Sequence, residues 1–258
     1  DGLVDSTDAH SQVIITSSTS TYTGSIDRVD CVAAPTCTYI EEIQNFANWY
    51  SYHRKRSYVA KHAIGDVVTS ATDKRMGLYL YNDGNITSAT TMSALANKKT
   101  LLENTYDYAI PCTDLDCPST PAREALKGVG ELFKGTDSPI LDAASGGTCQ
   151  QNFNVTLTDG FWNGAEPTDI GNADNDGDTT FDQGAYGDDY SVTLADVAMH
   201  YYERDLRPDL LNNVPTSPGL DEAEHQHLVT YSVAFGLTGN LDPAKTNPLD
   251  PGFNWPDP

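Results

Sequence analysis

Residues 149 to 164, Cys149-Gln150-Gln151-Asn152-Phe153-Asn154-Val155-Thr156-Leu157-Thr158-Asp159-Gly160-Phe161-Trp162-Asn163-Gly164, constrain the fold more than any other stretch. Phe153, Val155 and Leu157 alternate with polar residues, the period-two pattern of a strand, and Asp159-Gly160 then turns the chain. In an α/β protein, an aspartate held at the carboxyl end of a strand lies where such folds keep ligands and metals. A turn aspartate bonded to its own backbone is the plainer use of the same residues. The choice between them depends on the rest of the chain.

Strands and helices alternate along it. Residues 1 to 37 are rich in Ser and Thr, with one short apolar run, Val13-Ile14-Ile15, and predict an irregular arm carrying at most one strand. Thr38-Tyr39-Ile40-Glu41 is a capping box, in which hydroxyl and carboxylate each satisfy an orphan amide at a helix start. Ile43, Phe46, Ala47, Tyr50, Ser57, Ala60, Ile64 and Val67 recur at helical spacing. They predict one helix of about seven turns, with Arg54, Lys55 and Arg56 on its wetter side. Met76 to Tyr81 is a strand stopped by Asn82-Asp83-Gly84, and residues 88 to 108 suggest helix. Pro121, after Thr120, opens an amphipathic helix through Ala125, Leu126, Val129 and Leu132. Thr193-Leu194-Ala195-Asp196 caps another through Val197, Ala198, Tyr201 and Tyr202, and Leu228 to Leu237 is the last strand. Such alternation predicts an α/β fold with a parallel sheet between helical layers.

The 258 residues suit one large domain or a domain with appendages. Only 38% are hydrophobic, so the 14 Tyr, 7 Phe and 3 Trp are needed for the core. With 37 acidic against 15 basic residues the net charge is −22, which excludes nucleic acid and anionic membrane surfaces as partners. Divalent cations or a salty medium fit better, and a plainly solvated acidic surface is the alternative. No apolar run is long enough to span a membrane, and no signal peptide occurs. Cys31 with Cys37, and Cys112 with Cys117, bracket short loops and predict two disulfides, hence an exported protein; Cys149 is left free or paired outside the chain. Zinc is the other use of such pairs, but the spacings match no zinc ribbon. The abrupt ends, Asp-Gly-Leu and Trp-Pro-Asp-Pro, suggest a piece of a longer polypeptide.

Two constellations suit a metal. Thr120 and Asp159 both lie beyond predicted strands, where one rim of a parallel sheet would gather a hydroxyl and a carboxylate for a hard cation, Mg2+ or Ca2+. Otherwise Thr120 is a helix cap and Asp159 a turn residue. The segment from Asn172 to Asp182 is richer: Asn172, Asp174 and Asp176 stand at loop positions 1, 3 and 5, Gly177 at 6, Asp178 at 7 and Asp182 at 11. That order resembles a Ca2+ loop, with the glycine permitting the sharp turn. Gln183 stands where the bidentate glutamate would be, and no helix pair flanks the loop. Catalysis finds little support. His53, His62, His200, His225 and His227 lack a nucleophile at a recognised spacing, and neither a Gly-Xaa-Ser-Xaa-Gly elbow nor a phosphate loop is present. His225 and His227 would share a face if strand-borne, as metal ligands or, more ordinarily, as packed residues.

Several segments together resemble one family, the PilY tip-associated adhesins and biogenesis factors of bacterial type IV pili. They are Glu41-Glu42-Ile43-Gln44-Asn45-Phe46-Ala47-Asn48-Trp49-Tyr50-Ser51-Tyr52, Thr120-Pro121 with Arg123-Glu124-Ala125-Leu126, and Thr158-Asp159-Gly160-Phe161-Trp162-Asn163-Gly164. Thr193-Leu194-Ala195-Asp196-Val197-Ala198-Met199-His200-Tyr201-Tyr202 with Asp205-Leu206-Arg207-Pro208 follow, then His225-Gln226-His227-Leu228-Val229-Thr230. They keep the family's order across residues 38 to 237, and Asp30-Cys31 and Cys37-Thr38 resemble the approach to its first long helix.

The resemblance implies a von Willebrand factor A-like domain over residues 38 to 258. That fold is a doubly wound, mainly parallel sheet with helices on both faces, here with the irregular arm and an acidic insertion loop added. It also implies a rim cation held by an Asp-Xaa-Ser-Xaa-Ser loop, a Thr and an Asp, of which Thr120 and Asp159 match the last two. The first element is missing: Thr16-Ser17-Ser18-Thr19-Ser20 has Thr where the pattern has Asp, so the motif is expected upstream. Asn154 and Thr156 depart from the family's usual apolar residues, and the chain stops near Trp255-Pro256, before the propeller the family adds. The implied function is a non-enzymatic, extracellular pilus-tip adhesin and assembly factor whose partners are pilin or minor pilin subunits and a host or surface receptor. A structural subunit with a degenerate metal site and a calcium-stabilised secreted hydrolase are the alternatives.

Overall fold

A computed structural model describes residues 13–109, 119–158, 162–182 and 187–235. The chain divides into two compact units, Asp1–Ser70 and Ala71–Pro258. Cys112, Cys117, Asp159 and Leu237 lie outside the described residues.

In the first unit two short strands, β1 (Thr21–Thr23) and β2 (Thr36–Thr38), pair antiparallel with Tyr22 opposite Cys37. The Cys31–Cys37 disulfide forms as expected and closes the loop between them. Val13 and Ile14 are exposed rather than strand-borne. Thr16 to Thr19 form a local turn, in which the Thr16 hydroxyl meets Ser18 Oγ at 2.9 Å. The capping box at Thr38 and Glu41 is present and starts α1 (Tyr39–Tyr52). One long helix was expected here, and the structure has two. Helix α1 ends before His53–Lys55, and α2 (Arg56–Ser70) begins after it. Arg54 explains the break: its guanidinium lies 4.0 Å above the Tyr50 ring and donates to the Tyr50 carbonyl at 2.9 Å. Basic side chains satisfy the last carbonyls of a helix in this way and complement its dipole. The apolar stripe of α1 is outward, with Phe46 52% and Tyr50 51% exposed, while Glu42 is buried and paired with Arg28.

The second unit opens with an antiparallel hairpin, β3 (Arg75–Leu80) and β4 (Gly84–Thr91). Residues 88 to 91, expected as helix, belong to β4, where β-branched Ile86, Thr87, Thr90 and Thr91 suit a pleated surface. Helix α3 (Leu95–Asp107) follows. Helix α4 (Ala122–Lys134) has Pro121 as its cap and buries Ala122, Ala125, Leu126, Val129 and Gly130 on one face. Strand β5 (Phe153–Thr158) pairs parallel with β6 (Val229–Ala234), Phe153 opposite Val229 and Thr158 opposite Ala234. Between them runs α5 (Leu194–Tyr202), started by the expected capping box at Thr193 and Asp196. Parallel strands need such a crossover. The core joins Leu126, Val129, Ile140, Ile170, Val197, Tyr201, Leu206 and Leu228.

The fold is mixed α/β, and the described residues do not by themselves complete a mainly parallel, doubly wound sheet. Among the described residues there are three two-stranded sheets, one of them parallel. The faces of β5 are also the reverse of the expected ones: Phe153 and Val155 are 51% and 55% exposed, and Thr156 is 8%. The buried side is polar by design of the sequence, since Thr156 accepts from Asn154 Nδ2 at 2.9 Å and buried Asn152 donates to the His227 carbonyl at 3.1 Å. No described helix is long and apolar enough to cross a membrane.

Candidate metal centre

The rim at the carboxyl ends of β3 and β5 is assembled by hydrogen bonds. Tyr81 OH donates to the Leu157 carbonyl at 2.9 Å, and Asn82 Nδ2 to the Ser119 carbonyl at 3.1 Å. Thr120 N–H donates to Asn163 Oδ1 at 2.6 Å, and Asn163 N–H returns a bond to the Thr120 carbonyl at 3.0 Å. The loop bearing Thr120 is therefore clamped to the segment just after Thr158-Asp159-Gly160. Pro121, not Thr120, caps α4. Asp159 itself lies outside the described residues.

The acidic segment is anchored rather than hanging. Ile170, just before it, joins the core, and Ala173 within it is buried. From α4, Lys127 Nζ donates to the Thr168 carbonyl at 3.0 Å and Arg123 to the Val192 carbonyl at 2.8 Å, holding the insertion at both ends. Gly177 takes φ +78°, the left-handed turn that glycine permits. Asn172 and Asn175 both donate to the Asp188 carbonyl, at 3.0 and 2.9 Å.

The predicted ligands fall into two groups. Asp174 turns inward, 2% exposed, into the field of Asp196, Asp188 and Asp182. Asp176 and Asp178 stay exposed and meet a residue the sequence reasoning missed, Glu203 at the C-cap of α5. One carboxylate oxygen from each of these three lies within 4.8 Å of the others. Asp182 accepts from Thr179 N–H at 2.8 Å, and the Thr179 hydroxyl donates on to Glu203 Oε2 at 3.1 Å.

Among the described residues, Asn172 Oδ1, Asp174 Oδ2, Asp182 Oδ1, Asp196 Oδ1 and Glu203 Oε1 are buried without a hydrogen-bond partner. Burial pushes the Asp174 carboxyl up to about 6 against a bond from the Asp188 N–H, with the charges of Asp196, Asp188 and Asp182 adding to the rise. Burial likewise lifts Glu203 to about 7, opposed by Thr179 and Arg204 and assisted by Asp178 and Asp182. Like charges crowded out of water favour proton or cation uptake. A donor set made of oxygens alone selects hard cations such as Ca2+ or Mg2+.

His225 and His227 precede β6 and are structural. His225 Nε2 lies 2.9 Å from the Tyr202 carbonyl, and buried His227 pairs with Asp221 at 3.1 Å. Cys149 is a free, exposed thiol.

Fold and site together define an acidic mixed α/β module with a hard-oxygen cluster beside its core. The chain is 31% identical over 237 residues to the type IV pilus biogenesis factor PilY1 of Pseudomonas aeruginosa strain PAO1, covering 78% of this chain and 20% of that protein. PilY1 of strain PAK is 30% identical over 236 residues, with the same shares, and that of strain UCBPP-PA14 28% over 224 residues. The chain belongs to the PilY family. It spans about a fifth of the length of the curated relatives it matches. No family profile matches it, and no solved structure matches significantly.

Proposed function

We propose that this chain is a non-enzymatic, cation-binding module of a type IV pilus biogenesis factor, exported to the cell surface and working at the pilus tip in assembly and adhesion. The observation that carries this is the 31% identity over 237 residues to a protein named for pilus biogenesis. The Cys31–Cys37 disulfide agrees with an exported protein. Its partners on this reading are pilin or minor pilin subunits and a host or surface receptor.

The fold on this reading is von Willebrand factor A-like, and the parallel β5–α5–β6 unit is the part of it that supports the assignment. Thr120 and Asp159 hold Mg2+ or Ca2+ at the rim, directly or through water, and an open position accepts a ligand carboxylate. Asn172, Asp174, Asp176, Asp178 and Asp182 form a separate Ca2+ site that orders the insertion. A second reading, a structural subunit with a degenerate rim site, draws on the exposed apolar face of Phe153, Val155, Tyr231 and Val233, which suits a protein contact.

Deleting the encoding gene in its own bacterium is expected to remove surface pili, with restoration by the intact gene. In any background in which the deletion strain still carries pili, attachment should nevertheless be lost. Normal piliation in the deletion strain sinks the assembly role, and normal attachment sinks the adhesive one.

A further inference from the structure

We propose that Glu203, at the carboxyl end of α5, closes a calcium site with Asp176 and Asp178, so that the ion ties the acidic insertion to the packed core. This rests on the acidic loop being a cation site and adds a ligand from outside the loop. The three carboxylates each offer an oxygen within 4.8 Å of the other two, a spacing that one ion at Ca–O distances of about 2.3–2.6 Å bridges.

A second observation is independent of that spacing. Glu203 is 5% exposed, and among the described residues its buried Oε1 makes no hydrogen bond, its charged contact being an ion pair with Arg204. A carboxylate oxygen withdrawn from water requires a partner, and a helix C-terminus is where the backbone dipole opposes negative charge. Arg204 supplies a partial substitute. Its Nη2 lies 3.4 Å from Glu203 Oε1 and 3.0 Å from Asp178 Oδ2, so one guanidinium spans two of the carboxylates the ion would bridge. Arg204 is thus a built-in competitor for the site.

The donor chemistry selects calcium. Oxygen-only ligands exclude the softer metals. A loop hinged at Gly177 suits the irregular shell of calcium better than the strict octahedron of magnesium. Loop position 12 is Gln183, which cannot give a bidentate carboxylate. Glu203 provides from α5 what the loop lacks.

The test is calorimetric titration of calcium chloride into the chelator-stripped chain, wild type beside Glu203→Gln, Arg204→Gln and Asp209→Asn. Glu203→Gln is expected to weaken binding at least about tenfold, since ligand charge sets calcium affinity. Arg204→Gln, which removes the competitor, is expected to tighten it. Asp209→Asn makes the same charge change at an exposed carboxylate paired with Arg207 and is expected to leave it unchanged. Wild-type affinity in a folded Glu203→Gln chain overturns the role of Glu203 and leaves the loop site standing. No binding by wild type overturns both. If Glu203→Gln fails to fold by circular dichroism, Arg204→Gln decides, and unchanged or weaker binding in it overturns the proposal.

Discussion

His200 sits on α5 among charges of both signs. Burial lowers its pKa to about 4, the cations Arg204 and Lys134 push the same way, and Glu131 and Asp178 pull against them. Arg204 donates to its Nδ1, a bond that only the neutral ring accepts. Because the folded value lies below the ordinary 6.5, the unfolded chain takes up the proton first as pH falls. The stabilising contribution is complete above pH 6.5, erodes below it, and is gone once pH has dropped through about 4. Urea unfolding in chelator at pH 7.5 and 4.5 should therefore reveal a smaller acid loss in His200→Gln than in wild type. Equal losses would contradict the assignment. Single residues also mark the limit of sequence reading at the site. Asn172 to Asp182 could be picked out because alternating acids and a glycine recur at fixed spacing. Glu203 lies 21 residues beyond Asp182, and only the fold brings it there. The available signal was an acid at the carboxyl end of an apolar helix, the end its dipole disfavours.

Among elements, α4 packs closely against α5. Gly130 faces the flat of the Tyr201 ring, and a methyl added there would fall inside the ring's van der Waals surface. Tyr201 is 2% exposed and its hydroxyl donates to Glu131 at 2.9 Å, so the ring cannot swing away. Alanine for glycine ordinarily favours a helix by about 1 kcal/mol. Here Gly130→Ala is expected to destabilise by about 1–3 kcal/mol through overpacking, and chemical denaturation gives the sign directly. Strand β5 carries the opposite expectation. Val155→Thr keeps the β-branch on an exposed face, so its cost should stay within about 0.5 kcal/mol; a loss above 2 kcal/mol would mean the face is covered in solution. The capping boxes at Thr38 and Thr193 were legible because four consecutive residues contain the whole device. The break at His53–Lys55 and the extension of β4 were not. Helical spacing persists in sequence across both, and the outcome depends on Arg54 reaching Tyr50 and on β4 finding β3. Alternation in β5 located the strand, but the choice of inward face came from the polar partners of Asn152 and Thr156.

For the molecule as a whole, a net charge of −22 sets two distinguishable responses to salt. Diffuse repulsion among surface carboxylates opposes the compact state and is screened by any ion, over about 10 Å at 0.1 M. A specific site behaves otherwise: it stabilises only in proportion to occupancy, by about 2.7 kcal/mol at a hundredfold excess over Kd. Thermal unfolding in chelator should thus rise gradually between 20 mM and 500 mM NaCl. At one fixed ionic strength, calcium should raise the midpoint steeply at low concentration and then saturate into the logarithmic form. Magnesium at equal concentration is expected to act less, because the loop offers no rigid octahedron. Asp176→Ala should abolish the calcium-specific part while keeping the sodium response, since one surface charge hardly changes the total. Asp159→Ala separates the rim from the loop: retention of the full calcium effect would place all measurable cation stabilisation in the insertion. If calcium gives no more than sodium of the same ionic strength, the acidic surface is solvated and no more. The crowded oxygens around Asp174 and Glu203 would then have to be relieved by protons alone, consistent with their raised pKa values.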